Sequence, residues 1–411
     1  MTGGYHLFEG FGIELEYMIV DRDTLSVRPI AGFALADESG APSADLEFAE
    51  TTWSNELAAH VVELKTSRPV SNILQCKQIF PEAVRWMNTR LAEHGCMLLP
   101  TAVHPLMNPT TEGELWAYEG SEIYRWYDEV FGCRSHGWLN LQSMHINISF
   151  QGDEEFCRLH RAIRLVLPLL PALAASSPLL EGKFTGVCDS RLQHYLEHQR
   201  TVPATMGEVI PEILHSEEEY RKQILNRIAE EIRPFNAKGL MKADFMNARG
   251  AIARFDRGSI EIRLIDIQEC PDADVAIAEC VIAVVRDLVE ERSQFEDVAD
   301  SEISASELRT VLNDVVRHGG EAKVSHGELL RQLGLEKREI AAADIWGQLV
   351  NRVKSQISDD SQEILRRIEA HGNLATRLMR VLGKEPSRLE ISEVYQELGR
   401  CLAQNRMFLG A

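Results

Sequence analysis

The run Phe11-Gly12-Ile13-Glu14-Leu15-Glu16-Tyr17-Met18-Ile19 puts Phe11, Ile13, Leu15, Tyr17 and Ile19 on one side of an extended chain and Glu14 and Glu16 on the other. Three later stretches repeat the pattern. Val61-Val62-Glu63-Leu64-Lys65-Thr66 is one, and Met144-His145-Ile146-Asn147-Ile148-Ser149-Phe150 sets His145, Asn147 and Ser149 opposite four apolar residues. Ser259-Ile260-Glu261-Ile262-Arg263-Leu264 sets Glu261 and Arg263 opposite isoleucine and leucine. These are strands of a sheet with one greasy face and one face rich in carboxylates.

Residues i and i+2 of a strand lie about 7 Å apart, so Glu14 and Glu16 alone repel by roughly 2 kcal/mol at an effective dielectric near 20. If the strands are neighbours the repulsion compounds, and the cluster must either hold protons or hold cations. Several carboxylates with a single histidine and no nearby cysteine favour a hard ion, Mg²⁺ or Mn²⁺, over a closed zinc site. Read alone, Glu14 and Glu16 could equally be a solvated strand face, and His145 a core histidine bonded to backbone. The company of the other strands makes the site reading the better one.

The chain has 411 residues, enough for one large domain or two ordinary ones, and its 63 acidic against 43 basic residues give a net charge of −20. That balance disfavours nucleic acid or an anionic membrane as partner, so an anionic substrate would need metal ions and a few well-placed arginines. The eight cysteines have no paired spacing and suit a reducing cytosol. The first residues lack a basic region followed by an apolar run, so no leader is expected and a soluble, cytoplasmic protein is. Leu165–Leu180 is uncharged, too short to span a bilayer and broken by Pro168, Pro171 and Pro178; it reads as a buried, interrupted helix.

Ser71–Gly95 reads as a helix, and Ala251–Ile267 as a hairpin turning at Asp256-Arg257-Gly258. Val275–Arg292 reads as an amphipathic helix. Ser304-x-x-Glu307 and Ser325-x-x-Glu328 resemble capping boxes, and helices are expected near 341–356, 361–382 and 387–404, covering the back of the sheet. Aromatics crowd residues 116–138; most are expected in the core, with one free to stack on an adenine. Walker A, GxGxxG and GxSxG motifs are all missing, so a glycine-rich phosphate cradle is not how this chain would hold a nucleotide.

In order along the chain stand Gly12-Ile13-Glu14-Leu15-Glu16, Glu63-Leu64-Lys65-Thr66, Thr101-Ala102-Val103-His104-Pro105, His145-Ile146-Asn147, Asp189-Ser190-Arg191 and Ser259-Ile260-Glu261-Ile262-Arg263. Together they resemble the carboxylate–amine ligases typified by glutamate–cysteine ligase, within the glutamine synthetase superfamily, over about residues 10–290. The resemblance implies an α+β fold: a curved, mainly antiparallel sheet forming a funnel-like active site, covered by helices on its outer face. It implies a catalytic domain over 1–290 and a helical C-terminal extension, 291–411, packed on the same domain. It also implies metal ligation by Glu14, Glu16, Glu56, Glu63, His145 and Glu261, and contact of Arg263 with the γ-phosphate of ATP. Arg191 is the candidate for a substrate carboxylate, with Asn147 and Arg254 as further substrate-binding candidates. Lys65 and the His145-Ile146-Asn147 run, where the family more often has His-x-His, depart from the usual pattern.

Glu56 and Glu63 would fall on opposite faces of an unbroken strand, so Glu56 requires a bend between them. Lys65 is expected to pair with Glu63, and His104 to fix its loop.

The implied activity is ATP-dependent joining of a carboxylate, most simply the γ-carboxylate of glutamate, to cysteine or another amine through an acyl phosphate, with Mg²⁺ or Mn²⁺. The implied partners are small molecules, ATP, glutamate and an amine, and family members associate as dimers or larger, so a homo-oligomer is implied too. Two other readings stay open: a metal-dependent amidohydrolase working without ATP, and a nucleotide-binding protein that has lost turnover. An idle cluster of like charges is destabilising, which speaks against the second.

Overall fold

A computed structural model describes residues 4–292 and 302–410. Its centre is an 8-stranded sheet. The strands are β1 (Phe11–Asp21), β2 (Asp45–Phe48), β3 (Thr51–Asn55), β4 (Val61–Thr66), β5 (Cys96–Leu99), β6 (Ser143–Ser149), β7 (Ala251–Arg254) and β8 (Ser259–Asp266). They lie in the order β2-β3-β4-β1-β6-β8-β7, with β5 on the far end of β1. Every pairing in this sheet is antiparallel. The expected hairpin closes through Gly258 at φ +65°, a conformation glycine adopts without a steric cost.

The apolar sides of the strands are buried: Ile13, Leu15, Tyr17, Leu64, Ile146, Ile148, Ile260 and Leu264 are fully enclosed. Against them lie helices α1 (Cys76–Ala92), α2 (Gly152–Val166) and α3 (Pro271–Arg292). Pro271 opens α3 and Asp272 and Asp274 lie in its first turn, a favourable start for a helix. It is not the amphipathic helix expected. Residues 273–285 are buried all round, because α5 (Ala342–Val353) and α6 (Asp359–His371) cover its outer side. The C-terminal helices thus build a second layer, while the last of them, α8 (Arg388–Gln404), packs directly on β5 and α1. The expected boundary at 290/291 falls in the last turn of α3; residues 293–301 beyond it, and Met1–Gly3, lie outside the described residues.

Two local expectations are corrected. The helix expected over 361–382 is two, α6 and α7 (Leu374–Leu382). Gly372 sits at φ +83° and Asn373 caps the new helix, its Oδ1 accepting from Thr376 N at 3.0 Å. Ser325 and Glu328 do not form a capping box, since the helix opens one residue later at Gly327 and His326 Nδ1 takes the cap bond from Leu329 N. Ser304 and Glu307 do form one, opening α4 (Ala305–His318). Leu165–Leu180 is buried throughout, as a run of short helical turns ending in a two-residue strand. No described helix is long and apolar enough to cross a membrane.

His160 on α2 is 1% exposed, lies against Phe156 with ring centres 5.1 Å apart, and has no hydrogen bond at either nitrogen. Burial, with the charge of Arg164 behind it, pulls its pKa down to about 3. Its contribution to stability is therefore complete above the unfolded value of 6.5 and is lost as the pH falls from there toward 3, by about 1.4 kcal/mol per unit. Urea unfolding of His160→Phe at pH 7 and pH 5 should show about 2 kcal/mol less acid destabilisation than the wild type. An unchanged difference would show that this ring is charged in the folded protein.

Candidate active site

The register of the sheet assembles the site. Glu14 on β1 stands opposite Lys65 on one neighbour and His145 on the other, and Glu16 stands opposite Glu63. Glu261 on β8 stands opposite Asn147 on β6. All these side chains leave the same face, where they line a cavity of about 820 Å³. Glu56 joins them because β3 ends at Asn55 and the chain turns over 56–60 before β4, the bend that its role requires. Arg191, Arg254 and Arg263 join the lining, so every candidate metal-binding, catalytic and substrate-binding residue named from the sequence borders one cavity.

A register shift between Ile262 and Ile265 adds one residue to β8. Alternation therefore slips, and Asp266 pairs with Ser143 on the face that carries Glu261 and Arg263. Asp266 uses that position to hold Arg191: Nε donates to Oδ1 at 2.5 Å, and both residues are almost wholly buried. Arg191 Nη2 is left with no hydrogen-bond partner. Asp189, two residues before Arg191, caps the short helix Ser190–Tyr195 by accepting from Leu192 N at 2.7 Å.

His145 is the hub of the acids. Its Nδ1 donates to Glu14 Oε2 at 2.9 Å, and it lies 3.9 Å from both Glu16 Oε1 and Glu261 Oε1. Burial pulls its pKa down, but the bond to Glu14 and the charges of Glu16 and Glu14 outweigh this and lift it to about 9. Burial also pushes Glu14 up, as does the charge of Glu261, but its bond to His145 together with the charges of His145 and Lys65 leaves it below the ordinary value. Glu63 is pushed up to about 7 by burial and by Glu14, although Lys65 Nζ donates to its Oε2 at 2.9 Å. Glu56 is held well above the usual carboxylate range by burial and by Glu16 and Glu63. Glu261 goes the other way: Arg263, His145 and Arg254 overcome its burial and keep it far below that range.

Ligand atoms of Glu14, Glu63 and His145 lie within 4.8 Å of one another, the spacing of a shared cation. The acids that burial and mutual repulsion hold up are those with too little positive charge beside them, which is what added cations would supply. An oxygen-dominated set with one imidazole suits Mg²⁺ or Mn²⁺.

His104 is a loop-fixing residue, buried, with Nε2 on Leu25 O at 2.7 Å and Nδ1 accepting from Met107 N at 2.9 Å. Among the aromatics of 116–138, Trp116 and Trp126 are buried, whereas Tyr124, Tyr127 and Trp138 line the cavity. Sequence reasoning missed Tyr195, His198, Gln199 and Asn247, which also line it. Tyr195 ends the short helix Ser190–Tyr195 and the other three lie in turns and loops between 196 and 247, where no periodicity marks an inward side.

Comparison with known proteins gives the family and the fold. The family model described as glutamate–cysteine ligase family 2 matches residues 10–397. An uncharacterized protein of Archaeoglobus fulgidus is 33% identical over 402 residues, covering 97% of this chain and 100% of that one. A protein of Paenarthrobacter aurescens named "Putative glutamate--cysteine ligase 2-1" is 26% identical over 377 residues, covering 87% and 85%. The crystal structure of glutamate–cysteine ligase from Francisella tularensis in complex with AMP shares the fold at a TM-score of 0.61, with 12% identity over 98% of this chain and 90% of that one. With nearly its whole length matched by the family model and its acids gathered on one wall of the sheet, the chain belongs to glutamate–cysteine ligase family 2, a family of carboxylate–amine ligases.

Proposed function

We propose that the protein phosphorylates a carboxylate of an amino acid, the γ-carboxylate of glutamate, with ATP and lets cysteine or another small amine displace the phosphate. The observation that carries this reading is the convergence of Glu14, Glu16, Glu56, Glu63, His145 and Glu261 beside Arg254 and Arg263 in one cavity. A carboxylate is a poor electrophile, and phosphorylation turns one of its oxygens into a leaving group. The six residues would hold Mg²⁺ or Mn²⁺, whose contribution is to neutralise triphosphate charge and fix its orientation.

The chain's own groups divide the remaining work. Arg263, which borders the cavity and is bonded to Glu261, stands ready to exchange that carboxylate for a phosphoryl oxygen as charge develops. Arg254 Nε donates to Glu261 Oε2 at 3.2 Å and so holds the carboxylate from its other side. Arg191 Nη2, buried and unpaired, suits the substrate's α-carboxylate, with Asp266 fixing the guanidinium plane. Asn147 Nδ2 donates to Glu14 Oε1 at 3.0 Å, which orients Glu14 and leaves the amide oxygen for a substrate donor. We place the protein in the cytoplasm with small molecules as its partners, in keeping with eight free cysteines.

Incubation with ATP, Mg²⁺ and glutamate, with and without a panel of amino acids and amines, tests the reading. ADP release should require Mg²⁺ and the amino acid, and mass spectrometry should find an amide of glutamate. Amide hydrolysis without ATP, or nucleotide binding with no ADP, would overturn it.

A further inference from the structure

Strands β1 and β4 bring four charged side chains to the cavity, Glu14, Glu16, Glu63 and Lys65, and of these only Lys65 is positive. The register sets it directly opposite Glu14, and alternation puts it on the same face as Glu63, two residues back. Glu14 is already engaged: Oε2 accepts from His145 Nδ1 at 2.9 Å and Oε1 from Asn147 Nδ2 at 3.0 Å. Glu16 Oε2 accepts from Ser143 N and Oγ, and Glu261 is held between Arg254 and Arg263. Lys65 therefore folds back along its own strand, and its Nζ donates to Glu63 Oε2 at 2.9 Å.

The charge reaches further than that one bond. Burial pushes the carboxyls of Glu14, Glu56 and Glu63 up, and the Lys65 ammonium opposes this at all three. Asp45, on the edge strand β2, is 3.8 Å from Nζ, beyond hydrogen-bond range, so Glu63 Oε2 is the oxygen that fixes the ammonium among the acids. A divalent ion cannot share that oxygen with it. Mg²⁺ binds a carboxylate oxygen at about 2.0–2.1 Å, which would press the ion against an Nζ 2.9 Å from the same atom, like charge on like charge. Glu63 can offer Oε1 to an ion, but not Oε2 while Lys65 is in place.

We propose that Lys65 is a built-in cation of the acidic wall, standing beside Glu63 where a divalent ion would otherwise bind, so that the protein holds one metal ion fewer than its carboxylates alone would take. The assignment rests on the reading of these acids as a metal site. It gives the lysine a definite part in that site: a fixed positive charge that is present at any concentration of free metal.

Mn²⁺ binding to the full chain without nucleotide, counted from the loss of the free-ion EPR signal, tests it. The measurement is made at pH 8, above the value of about 7 to which burial and Glu14 raise Glu63. Lys65→Met keeps the apolar stem and removes the charge, and it should bind one Mn²⁺ per chain more than the wild type. Lys65→Arg keeps the charge and should bind the wild-type number. Adding Glu63→Gln to Lys65→Met should abolish the gain, which ties the extra ion to that carboxylate. Thermal melts show that the variants are folded, and Lys65→Met should gain more melting temperature from Mn²⁺ than the wild type does. An unchanged ion count in Lys65→Met, or an equal gain in Lys65→Arg, would overturn the assignment. Folded proteins that bind no Mn²⁺ in any of these forms would remove the metal reading, and this assignment with it.

Discussion

Glu63→Gln should reduce Mg²⁺-dependent ADP formation by on the order of 10³-fold, while the protein by itself melts no lower than the wild type. Both halves follow from one environment. Glu63 is enclosed with Glu14 and Glu56, and burial and Glu14 lift its pKa from 4.5 to about 7. A carboxyl raised in the folded state stabilises fully only below its unfolded value, and that contribution is lost as the pH rises toward 7. Glutamine removes this loss. Lys65 gives up one partner, but it is one-third exposed and keeps Asp45 at 3.8 Å, so its loss is small. Glu14→Gln should lose turnover equally but melt lower, because the His145 imidazolium then loses the bond that holds its pKa near 9. Thermal melts of both variants with and without Mg²⁺, run beside ADP assays, check the pair. The wild type should gain melting temperature from the ion and the variants should not. Wild-type turnover in either variant would remove that residue from the metal set.

The side on which each acid lies was legible because it depends on the strand's period of two and on nothing else. Glu14, Glu16, His145, Glu261 and Arg263 follow from alternation alone, and all reach the cavity. Register is another matter. That Glu16 faces Glu63, and Glu14 faces His145, is set by turns and pairings between chain segments up to about 130 residues apart, which no local pattern encodes. The bulge in β8 is subtler still. Simple alternation from Glu261 would turn Asp266 toward the core, and the extra residue near 263–264 turns it to the cavity, where it fixes Arg191. Arg191 could be pointed to by resemblance, but its anchor could not. The same logic explains α3: a helix buried on every side is recognised only when its second cover, α5 and α6, is known. His198 and Gln199 lie in chain with no period at all, and only the folded cavity singles them out.

Arg377→Met should destabilise the fold by about 3–5 kcal/mol, a larger effect on stability than any change in the active-site cluster. Arg377 and Glu269 are both fully buried, and their bidentate ion pair links α7 to the segment between β8 and α3. Arg377 also donates to Phe408 O, while Phe408 N donates to Glu269 Oε1 at 3.2 Å, so the pair clasps the segment around Phe408 as well. Removing the guanidinium leaves a carboxylate in the interior with only that one amide, and removes the donor from a buried carbonyl. The loss is one of imbalance rather than of a strong bond, so the second substitution is the discriminating one. Glu269→Gln on top of Arg377→Met should recover a large part of the stability, because the stranded charge goes with it. Urea unfolding of both single variants and the double variant measures the coupling. Hydrogen exchange gives an independent readout: the Phe408 segment should exchange faster in Arg377→Met than in the wild type, and in the double variant exchange there should stay fast although global stability returns, since the guanidinium's bond to Phe408 O is not restored. Equal exchange in all of them would mean that packing of Phe408 against α7 and α8, not the ion pair, holds this segment.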